Sequence, residues 1–352
     1  MSTIGDTGDS GGVLDNPAAS AREPIRMGVI GLGSMGRHHA RVIREVDGLD
    51  LVAVADLYGD RHAAARGLDV LSDVDSLISA DIEAAVVAVP THLHEQVALA
   101  LAAAGVHAIV EKPIAASADS GRRVAQAYTS AGLTGCVGYV ERCNPALLEM
   151  RRRIEAGELG ELYQIATSRQ GPFPARIADV GVVKDLATHD IDLAAWIAQS
   201  PYAVVSGQVT HRSGREHEDM VVVSGRLASG VIVTHTVNWL SPMKVRTTVA
   251  TGEKGALVAD TVASDLTFYA NGDVTSDWEQ AAAFRGVSEG DAIRYAIAKR
   301  EPLRVEQENF RDLLRGVPGA GAKTVSMADG VHTLDVVEAV LASAREDRTI
   351  VL

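Results

Sequence analysis

The sequence predicts an α/β protein: a doubly wound parallel sheet, followed by an α+β domain with a large, mostly antiparallel open sheet. Two observations support this prediction. Between residues 26 and 143, short apolar runs alternate with helical patterns, an order that places helices on both faces of a parallel sheet. Beyond residue 144, β-rich runs follow one another with tight glycine turns, which indicates antiparallel pairing.

Length and composition agree with two soluble domains. The chain has 352 residues, a net charge of −13 and no apolar run long enough to span a bilayer. The charge disfavours nucleic acid as a partner. Residues 1–25 are rich in Gly, Ser and Asp and lack the features of a signal peptide, so we expect a disordered tail. Two cysteines without metal-binding spacing favour the cytoplasm as the compartment.

The first domain is predicted to span residues 26–143. Its expected strands are Arg26–Ile30, Leu51–Asp56, Ala84–Val89, Ala108–Val110 and Thr134–Tyr139. Its expected helices are Gly36–Val46, Ser76–Ala80, His94–Ala104 and Ala118–Ala131. Ligands of such sheets bind at the carboxyl ends of the strands, so the residues that follow each strand are the candidates for a site.

The second domain is predicted to span residues 144–352, and its last helices are able to pack back on the first domain. Asn144 and Pro145 are suited to the start of a helix through Ala156. The expected strands are Leu162–Arg169, Ala203–Thr210, Met220–Leu227, Val231–Leu240, Val245–Thr251 and Leu257–Asp260. The other expected helices are Val183–Ala198, Glu306–Arg315 and Met327–Arg345, the last with a capping box from Ser326 to Asp329.

A glycine loop follows the first predicted strand and opens the first predicted helix. Gly31 permits the tight turn, Gly33 allows backbone to approach a pyrophosphate, and Gly36 allows the helix to pack closely on the strand. Ser34 and Met35 complete the loop, and the N–H groups at the helix start favour phosphate. This arrangement predicts a dinucleotide site, although S-adenosylmethionine enzymes use a similar loop.

The carboxylate of Asp56 identifies the cofactor. It ends the second predicted strand, 20 residues after Gly36, where an acid accepts hydrogen bonds from the adenosine ribose and repels a 2′-phosphate. Leu57 follows it, with no adjacent arginine. The sequence therefore favours NAD over NADP. Arg61 keeps the NADP alternative open, because it lies close enough in sequence to reach the ribose.

Glu111-Lys112-Pro113 directly follows a buried strand and is the first candidate for chemistry. Hydride transfer from an alcohol needs a group that receives the hydroxyl proton and one that holds the oxygen. A lysine beside the cofactor can stabilise developing negative charge on that oxygen. The alternative is that Lys112 is a solvated loop lysine.

Asp185 and His189 are the second candidate. Four residues apart on a helix, they lie on one face, where a carboxylate raises the basicity of an imidazole and orients it. This suits a general acid/base. One alternative is an ordinary surface pair. The other is a metal site with Asp190 and Asp192, which is disfavoured because those two residues point to other faces. We expect no metal.

Together, these motifs resemble the glucose–fructose oxidoreductase/inositol dehydrogenase/rhizopine catabolism (Gfo/Idh/MocA) family. The likeness runs from Arg26 nearly to the C-terminus and includes the segment 89–94. It implies an N-terminal Rossmann domain, a second sheet often used for oligomerisation, and catalysis on sugar-like polyols. By position, it implies that Lys112 contacts the reacting hydroxyl, Glu111 the nicotinamide ribose, and Asp185 with His189 the transferred proton. The residues implied to line the dinucleotide are Pro90, Thr91 and His94.

A narrower likeness links three segments to the branch that contains UDP-N-acetylglucosamine 3-dehydrogenases. The segments are 138–146, 171–181 and 238–246. Tyr139 and Cys143 depart from that branch, which commonly has His and Phe there, and both adjoin the implied substrate pocket. Five basic residues are candidates to bind a diphosphate or a carboxylate: Arg142, Arg169, Arg176, Lys244 and Arg246.

The sequence therefore predicts NAD-dependent oxidation of a secondary hydroxyl of a sugar, nucleotide sugar or cyclic polyol to a ketone. Two alternatives remain: an NAD-dependent glycosidase of the same fold, and a non-catalytic NAD-binding regulator. We also expect a homodimer or homotetramer, because the open face of the second sheet, predicted to carry Val, Leu and Trp239, would otherwise be exposed.

Overall fold

The computed structural model describes residues 23–174, 180–272 and 288–352. The predicted tail lies almost entirely outside these ranges, and the first strand begins at Ile25. Two sheets organise the described chain, one in each predicted domain. In the described ranges, none of the helices has the length and apolar character needed to cross a membrane.

The first sheet has six parallel strands in the order β3-β2-β1-β4-β5-β6. Its strands are β1 (Ile25–Ile30), β2 (Leu49–Ala55), β3 (Val70–Leu71), β4 (Ala84–Val87), β5 (His107–Glu111) and β6 (Gly135–Gly138). The predicted parallel sheet is confirmed. Strand β3 was not predicted, because two residues are too short to show a periodic pattern.

Four α-helices accompany this sheet. They are α1 (Gly36–Glu45), α2 (Val74–Ile78), α3 (His94–Ala103) and α4 (Ala118–Ser130). Side-chain caps fix two of the starts, since Asp73 accepts from the Ser76 N–H before α2 and Ser117 accepts from the Ser120 N–H before α4. Helix α1 begins within the glycine loop, so the predicted loop and helix are directly joined.

The second sheet has nine strands in the order β14-β13-β12-β11-β7-β10-β9-β8-β15. Its central strand β7 runs parallel to β10, whereas the other pairs are antiparallel, as predicted for most of this sheet. The strands are β7 (Leu162–Pro172), β8 (Tyr202–Thr210), β9 (Met220–Leu227), β10 (Ile232–Asn238), β11 (Leu240–Gly252), β12 (Gly255–Asp260), β13 (Asp265–Gly272), β14 (Ser288–Arg294) and β15 (Ile350–Val351).

One face of this sheet is buried beneath helices. Helix α5 (Pro145–Glu155) starts with the predicted Asn144 cap. The helix predicted over Val183–Ala198 is split: a π-helical turn, Val183–Ala187, precedes α6 (Thr188–Ala198). Along β7, burial alternates, as expected for a strand with one covered face.

The opposite face carries a mixture of small polar and apolar side chains. One row crosses four strands through Val222, Thr236, Ser168 and Thr247, all at least partly exposed. Trp239 does not belong to this face. It is 4% exposed and packs edge-on against Phe173, so the prediction that it lies in an apolar open face is wrong.

The last two helices pack back on the first domain. Helix α7 (Pro302–Leu314) lies against α1, and Phe310 is fully buried in the same apolar cluster as Val29 and Ile43. Helix α8 (Met327–Glu346) lies against α4 and begins with the predicted capping box. The domains are therefore joined by extensive packing as well as by the chain connection.

Candidate active site

The glycine loop has the shape of a phosphate cradle. Gly31 adopts a φ of +90°, and a Cβ there would lie 2.5 Å from the carbonyl oxygen of Ala88. A Cβ on Gly36 would overlap the carbonyl oxygen of Gly31. By contrast, a Cβ on Gly33 would meet nothing within 4 Å. Gly31 and Gly36 therefore shape the turn, whereas Gly33 leaves open space that fits a pyrophosphate. The exposed Ser34 and the half-buried Met35 lie beside it.

Asp56 is fixed beside this cradle. Its Oδ2 accepts from the Leu32 N–H in the glycine loop at 2.7 Å, and its Oδ1 accepts from the Tyr58 N–H at 2.7 Å. The guanidinium of Arg61 lies over the Tyr58 ring, 5.6 Å from its centroid. A carboxylate at this strand end suits an unphosphorylated adenosine ribose, so the residues present fit NAD.

Cofactor preference should follow Asp56. The double change Asp56→Ser and Leu57→Arg should weaken NAD binding and improve NADP binding, because it removes a ribose acceptor and a charge that repels the 2′-phosphate. Titration of wild type and variant with each cofactor, followed by protein fluorescence, measures both affinities. A wild-type protein that already prefers NADP would contradict this role for Asp56.

Three residues after β4 were predicted to line the dinucleotide. Pro90 is exposed and Thr91 half-buried at the carboxyl end of the strand, which is consistent with that position. His94 is buried, and its ring nitrogens contact the carbonyl oxygens of Val89 and Pro113, each at 2.9 Å. Its ring therefore ties two loops together instead of facing a ligand, which corrects the expected contact.

Lys112 reaches from the first domain into the second. Its Nζ donates to Asp185 Oδ1 at 3.0 Å and to the Asp185 carbonyl oxygen at 2.8 Å. The side chains of Lys112 and Asp185 are 17% and 5% exposed. The alternative of a solvated loop lysine is therefore wrong, because this ammonium is held at the junction of the two domains.

The structure corrects the expected Asp185–His189 pair. Asp185 is engaged by Lys112, whose ammonium is a stronger partner for a carboxylate than a neutral imidazole. Burial, together with the positive charges of Lys112, Arg169 and Arg246, lowers the pKa of His189 well below its ordinary value. The prediction that this histidine is made more basic is therefore wrong; in the folded protein, its imidazole is neutral near pH 7.

Tyr139 supports the His189 ring. The tyrosine is buried, and its hydroxyl lies 2.7 Å from Thr188 Oγ1. The two rings meet edge to face, with centroids 5.8 Å apart and planes at 89°. Tyr139 was predicted to bind substrate; its position beside His189 places it at the site, as support for the imidazole.

Arg169 and Arg246 lie side by side on the covered face of the second sheet. They are paired across β7 and β11. Buried Arg169 donates from Nε to Asp190 Oδ2 at 2.9 Å and from Nη1 to Glu141 Oε1 at 3.0 Å. Arg246 donates from Nη1 to the Gln170 carbonyl oxygen at 2.6 Å. The charges of Lys112, Arg169 and Arg246 all act on His189, so these groups form one cluster.

Sequence reasoning missed Glu141. It lies three residues beyond β6, at the carboxyl edge of the first sheet. Its position shortly after a predicted strand is the sequence signal that could have identified it. Three atoms of this cluster are buried and have no hydrogen-bond partner within the described ranges: Glu141 Oε2, Asp185 Oδ2 and His189 Nδ1. Buried polar atoms are usually paired, so unpaired ones grouped together point to a ligand.

Two of the other predicted cations, Arg142 and Lys244, lie among the described residues, and neither is among the charges that act on His189. Arg142 donates from Nε to buried Asp192 at 2.8 Å, and its side chain is only 12% exposed. Its charge is used in an ion pair with α6, and its substrate contact stays a prediction. Lys244 is exposed on β11. Arg176 lies outside the described residues.

Glu111, predicted to contact the nicotinamide ribose, is bonded to other parts of the protein. Its buried carboxylate has Oε1 2.8 Å from His39 Nε2, and its Oε2 accepts from the Lys112 N–H at 3.2 Å. The structure thus directs this side chain toward helix α1, and its contact with the nicotinamide ribose stays a prediction. The physical reason is that a buried carboxylate requires partners, and His39 provides one.

Comparison with known proteins agrees with this architecture. Residues 25–139 match the model of an oxidoreductase family with an NAD-binding Rossmann fold, and residues 147–258 match the Gfo/Idh/MocA C-terminal domain. The structure of UDP-N-acetylglucosamine 3-dehydrogenase from Acidithiobacillus ferrooxidans superimposes with a TM-score of 0.79 at 22% identity, covering 92% of this chain and 99% of that one. This likeness shows the shared fold.

Two sequence relatives act on cyclic polyols, according to their names. Inositol 2-dehydrogenase 2 of Saccharopolyspora erythraea is 32% identical over 203 residues, which is 55% of this chain and 60% of the relative. The scyllo-inositol 2-dehydrogenase (NAD(+)) of Bacillus subtilis is 32% identical over 193 residues, 52% of this chain and 56% of the relative. The chain thus matches less than two thirds of their length. On the two family models and this fold, the chain belongs to the Gfo/Idh/MocA family of oxidoreductases, with an N-terminal NAD-binding Rossmann domain.

Proposed function

We propose that this protein is an NAD-dependent dehydrogenase that oxidises a secondary hydroxyl of a sugar or cyclic polyol to a ketone. One observation carries the proposal. Lys112 Nζ, held by Asp185 at 3.0 Å, lies in the same cluster as a buried, neutral His189. Lys112 follows β5, at the carboxyl edge of the parallel sheet that also carries the glycine loop.

This cluster provides the two groups that alcohol oxidation needs. The chemistry that NAD supplies, when bound, is acceptance of a hydride from the carbinol carbon. The Lys112 ammonium donates a hydrogen bond to the substrate oxygen and stabilises negative charge that develops there. His189 receives the hydroxyl proton, since its lowered pKa keeps a ring nitrogen unprotonated. Asp185 is a positioning residue that fixes the Lys112 side chain.

The decline of kcat/KM on the acid side of the pH profile should occur at a low pH. The pKa of His189 is depressed, so the ring becomes protonated only when the pH falls below the ordinary histidine value of about 6.5. Plots of kcat/KM against pH should therefore stay flat through neutrality and fall only in more acidic solution. Asp185→Asn should move this decline to a still lower pH, because the positive charge of Lys112, which lowers the pKa of His189, is then uncompensated. A decline that moves to higher pH in the variant would contradict this account.

The charges of the cluster favour a neutral, hydroxyl-rich substrate. Its three cations, Lys112, Arg169 and Arg246, stand among three carboxylates. These are Asp185, Glu141 and Asp190. The unpartnered atoms include two carboxylate oxygens, which are suited to accept hydrogen bonds from hydroxyl groups. A nucleotide sugar would instead need cations for its diphosphate, and the exposed Lys244, two residues before Arg246 on β11, is a candidate for that contact.

A substrate panel tests the proposal. Purified protein is incubated with NAD and, in separate reactions, with inositol isomers, free hexoses and UDP-N-acetylglucosamine, and NADH is followed by its absorbance. We expect NADH with a neutral polyol or sugar. Formation of NADH with the UDP-sugar alone would show that the substrate is a nucleotide sugar. Release of an aglycone without net NADH would identify a glycosidase, and NAD binding without turnover of any compound would identify a regulator.

We further propose a homodimer or homotetramer that packs through the open face of the second sheet. The row through Val222, Thr236, Ser168 and Thr247 leaves apolar and small polar side chains partly exposed on a broad sheet. Thr236→Arg should separate the subunits, because a charge would be buried at the interface. Light scattering measures the mass, and a wild-type mass of 37.0 kDa at micromolar concentration would contradict the oligomer.

The cytoplasm is the proposed compartment. Both cysteines, Cys136 and Cys143, are buried free thiols, which is typical of proteins in reducing compartments.

A further inference from the structure

A buried chain of hydrogen bonds leads from helix α7 to the backbone of Lys112. Gln307 Nε2 lies 3.0 Å from His39 Nδ1, and His39 Nε2 lies 2.8 Å from Glu111 Oε1. Glu111 Oε2 then accepts from the Lys112 N–H at 3.2 Å. His39 and Gln307 are completely buried, and Glu111 is 7% exposed. These hydrogen bonds thus join three elements that are far apart in sequence: α7, α1 and the end of β5.

Donor and acceptor roles in this chain are consistent from end to end. The Gln307 amide nitrogen donates to His39 Nδ1, which leaves the proton on Nε2 to face Glu111. That proton is donated to Glu111 Oε1, and the second carboxylate oxygen remains free for the Lys112 N–H. Gly138 leaves room for the carboxylate, since a Cβ at that position would lie only 3.3 Å from Glu111 Cδ.

The chain of bonds fixes two functional parts relative to each other. His39 belongs to α1, the helix that begins in the glycine loop, whereas Lys112 carries the ammonium of the candidate site. We propose that His39 and Gln307 are positioning residues: they hold the Glu111–Lys112 turn against the phosphate-binding helix, and thereby set the place of the Lys112 ammonium relative to the cofactor site. This inference rests on the proposed dehydrogenase function.

A purely structural role predicts something different. If these residues only filled the core, their loss would lower the free energy of unfolding and leave the kcat of folded protein unchanged. If they position Lys112, their loss should lower kcat with little change in KM, and should loosen the Lys112 amide in the folded state. The two roles are therefore separated by kinetics and by hydrogen exchange.

The experiment compares His39→Leu with His39→Gln, whose amide nitrogen is able to donate in place of Nε2. His39→Leu should lower kcat by about 10- to 100-fold, the size of effect that a small misplacement produces. Hydrogen–deuterium exchange of the segment with Glu111 and Lys112 should accelerate. His39→Gln should recover part of both properties. His107→Leu is the matched control, because His107 lies at the opposite end of β5 and accepts from the Thr134 N–H at 2.9 Å; its kcat should match wild type.

An unchanged kcat in folded His39→Leu, or unchanged exchange of that segment, would overturn the proposal. If His39→Leu does not fold, Gln307→Met replaces it, since Met preserves most of the volume and removes the terminal amide that contacts His39. The kcat and the hydrogen exchange of this variant then test the proposal in the same way. If wild-type protein forms no NADH with any compound in the panel, the dehydrogenase proposal fails, whereas the exchange measurement still decides whether His39 holds the Lys112 turn.

Discussion

Lys112→Ala and His189→Ala should each lower kcat by roughly 10²–10⁴-fold, the usual loss when one positioned acid/base group is removed. Lys112→Ala removes the donor that stabilises negative charge on the substrate oxygen, and His189→Ala removes the proton acceptor. NAD affinity should change little, because the phosphates are expected at the Gly31–Gly36 loop. Steady-state kinetics on the best substrate of the panel, with NAD titration beside it, measures both quantities.

Lys184→Ala provides a matched control for this prediction. Lys184 precedes Asp185 in the π-helical turn, but its Nζ donates to the Ala116 carbonyl oxygen at 2.9 Å, so its loss should leave kcat unchanged. The Lys112 and His189 effects should be less than additive in the double variant, because the residues act as a unit. If His189→Ala turns over normally, the acid/base assignment fails, and Lys112 or a water molecule must take the proton.

Gly33→Leu should weaken NAD binding by about 100-fold or more, which corresponds to about 2.7 kcal/mol, and should leave the fold intact. A Cβ at this position meets no protein atom within 4 Å, so the leucine side chain would occupy the space that fits the pyrophosphate. Calorimetric titration with NAD measures the affinity, and a thermal melt measures the stability.

Gly36→Ala is the contrasting variant in the same loop. Its Cβ would overlap the Gly31 carbonyl oxygen, so the loop must distort and the melting temperature should fall. Wild-type affinity for NAD in Gly33→Leu would show that the pyrophosphate does not lie against this glycine, and would contradict the cradle described above.

Features encoded in one short stretch of sequence could be predicted. The glycine loop, Asp56 and most helices and strands are local patterns, and the structure has them where the patterns indicate. The partners of charged residues could not be predicted. Arg142 and Arg169 look alike in sequence, yet the first is bonded to Asp192 and the second to Asp190 and Glu141. Only the fold decides which carboxylate each arginine meets.

The pairing of Asp185 shows the same limit at the candidate site. An ideal α-helix would place Asp185 and His189 on one face, but Asp185 lies in a π-helical turn that ends at Ala187, two residues before His189, and this turn changes the angular spacing. A single extra residue per turn leaves no signal in an apolar pattern. The contact of Asp185 with Lys112, 73 residues earlier in the chain, arises from the docking of the two domains and has no local signal either.

The return of α7 to the first domain has a consequence for synthesis of the protein. Phe310 and Leu303 share an apolar cluster with Val29 and Ile43, which leave the ribosome more than 250 residues earlier. During translation, that surface of the Rossmann domain stays uncovered until α7 is made. A nascent chain of this protein therefore exposes this apolar surface for most of its synthesis, and fragments that end before Pro302 should aggregate although they contain the whole nucleotide-binding loop.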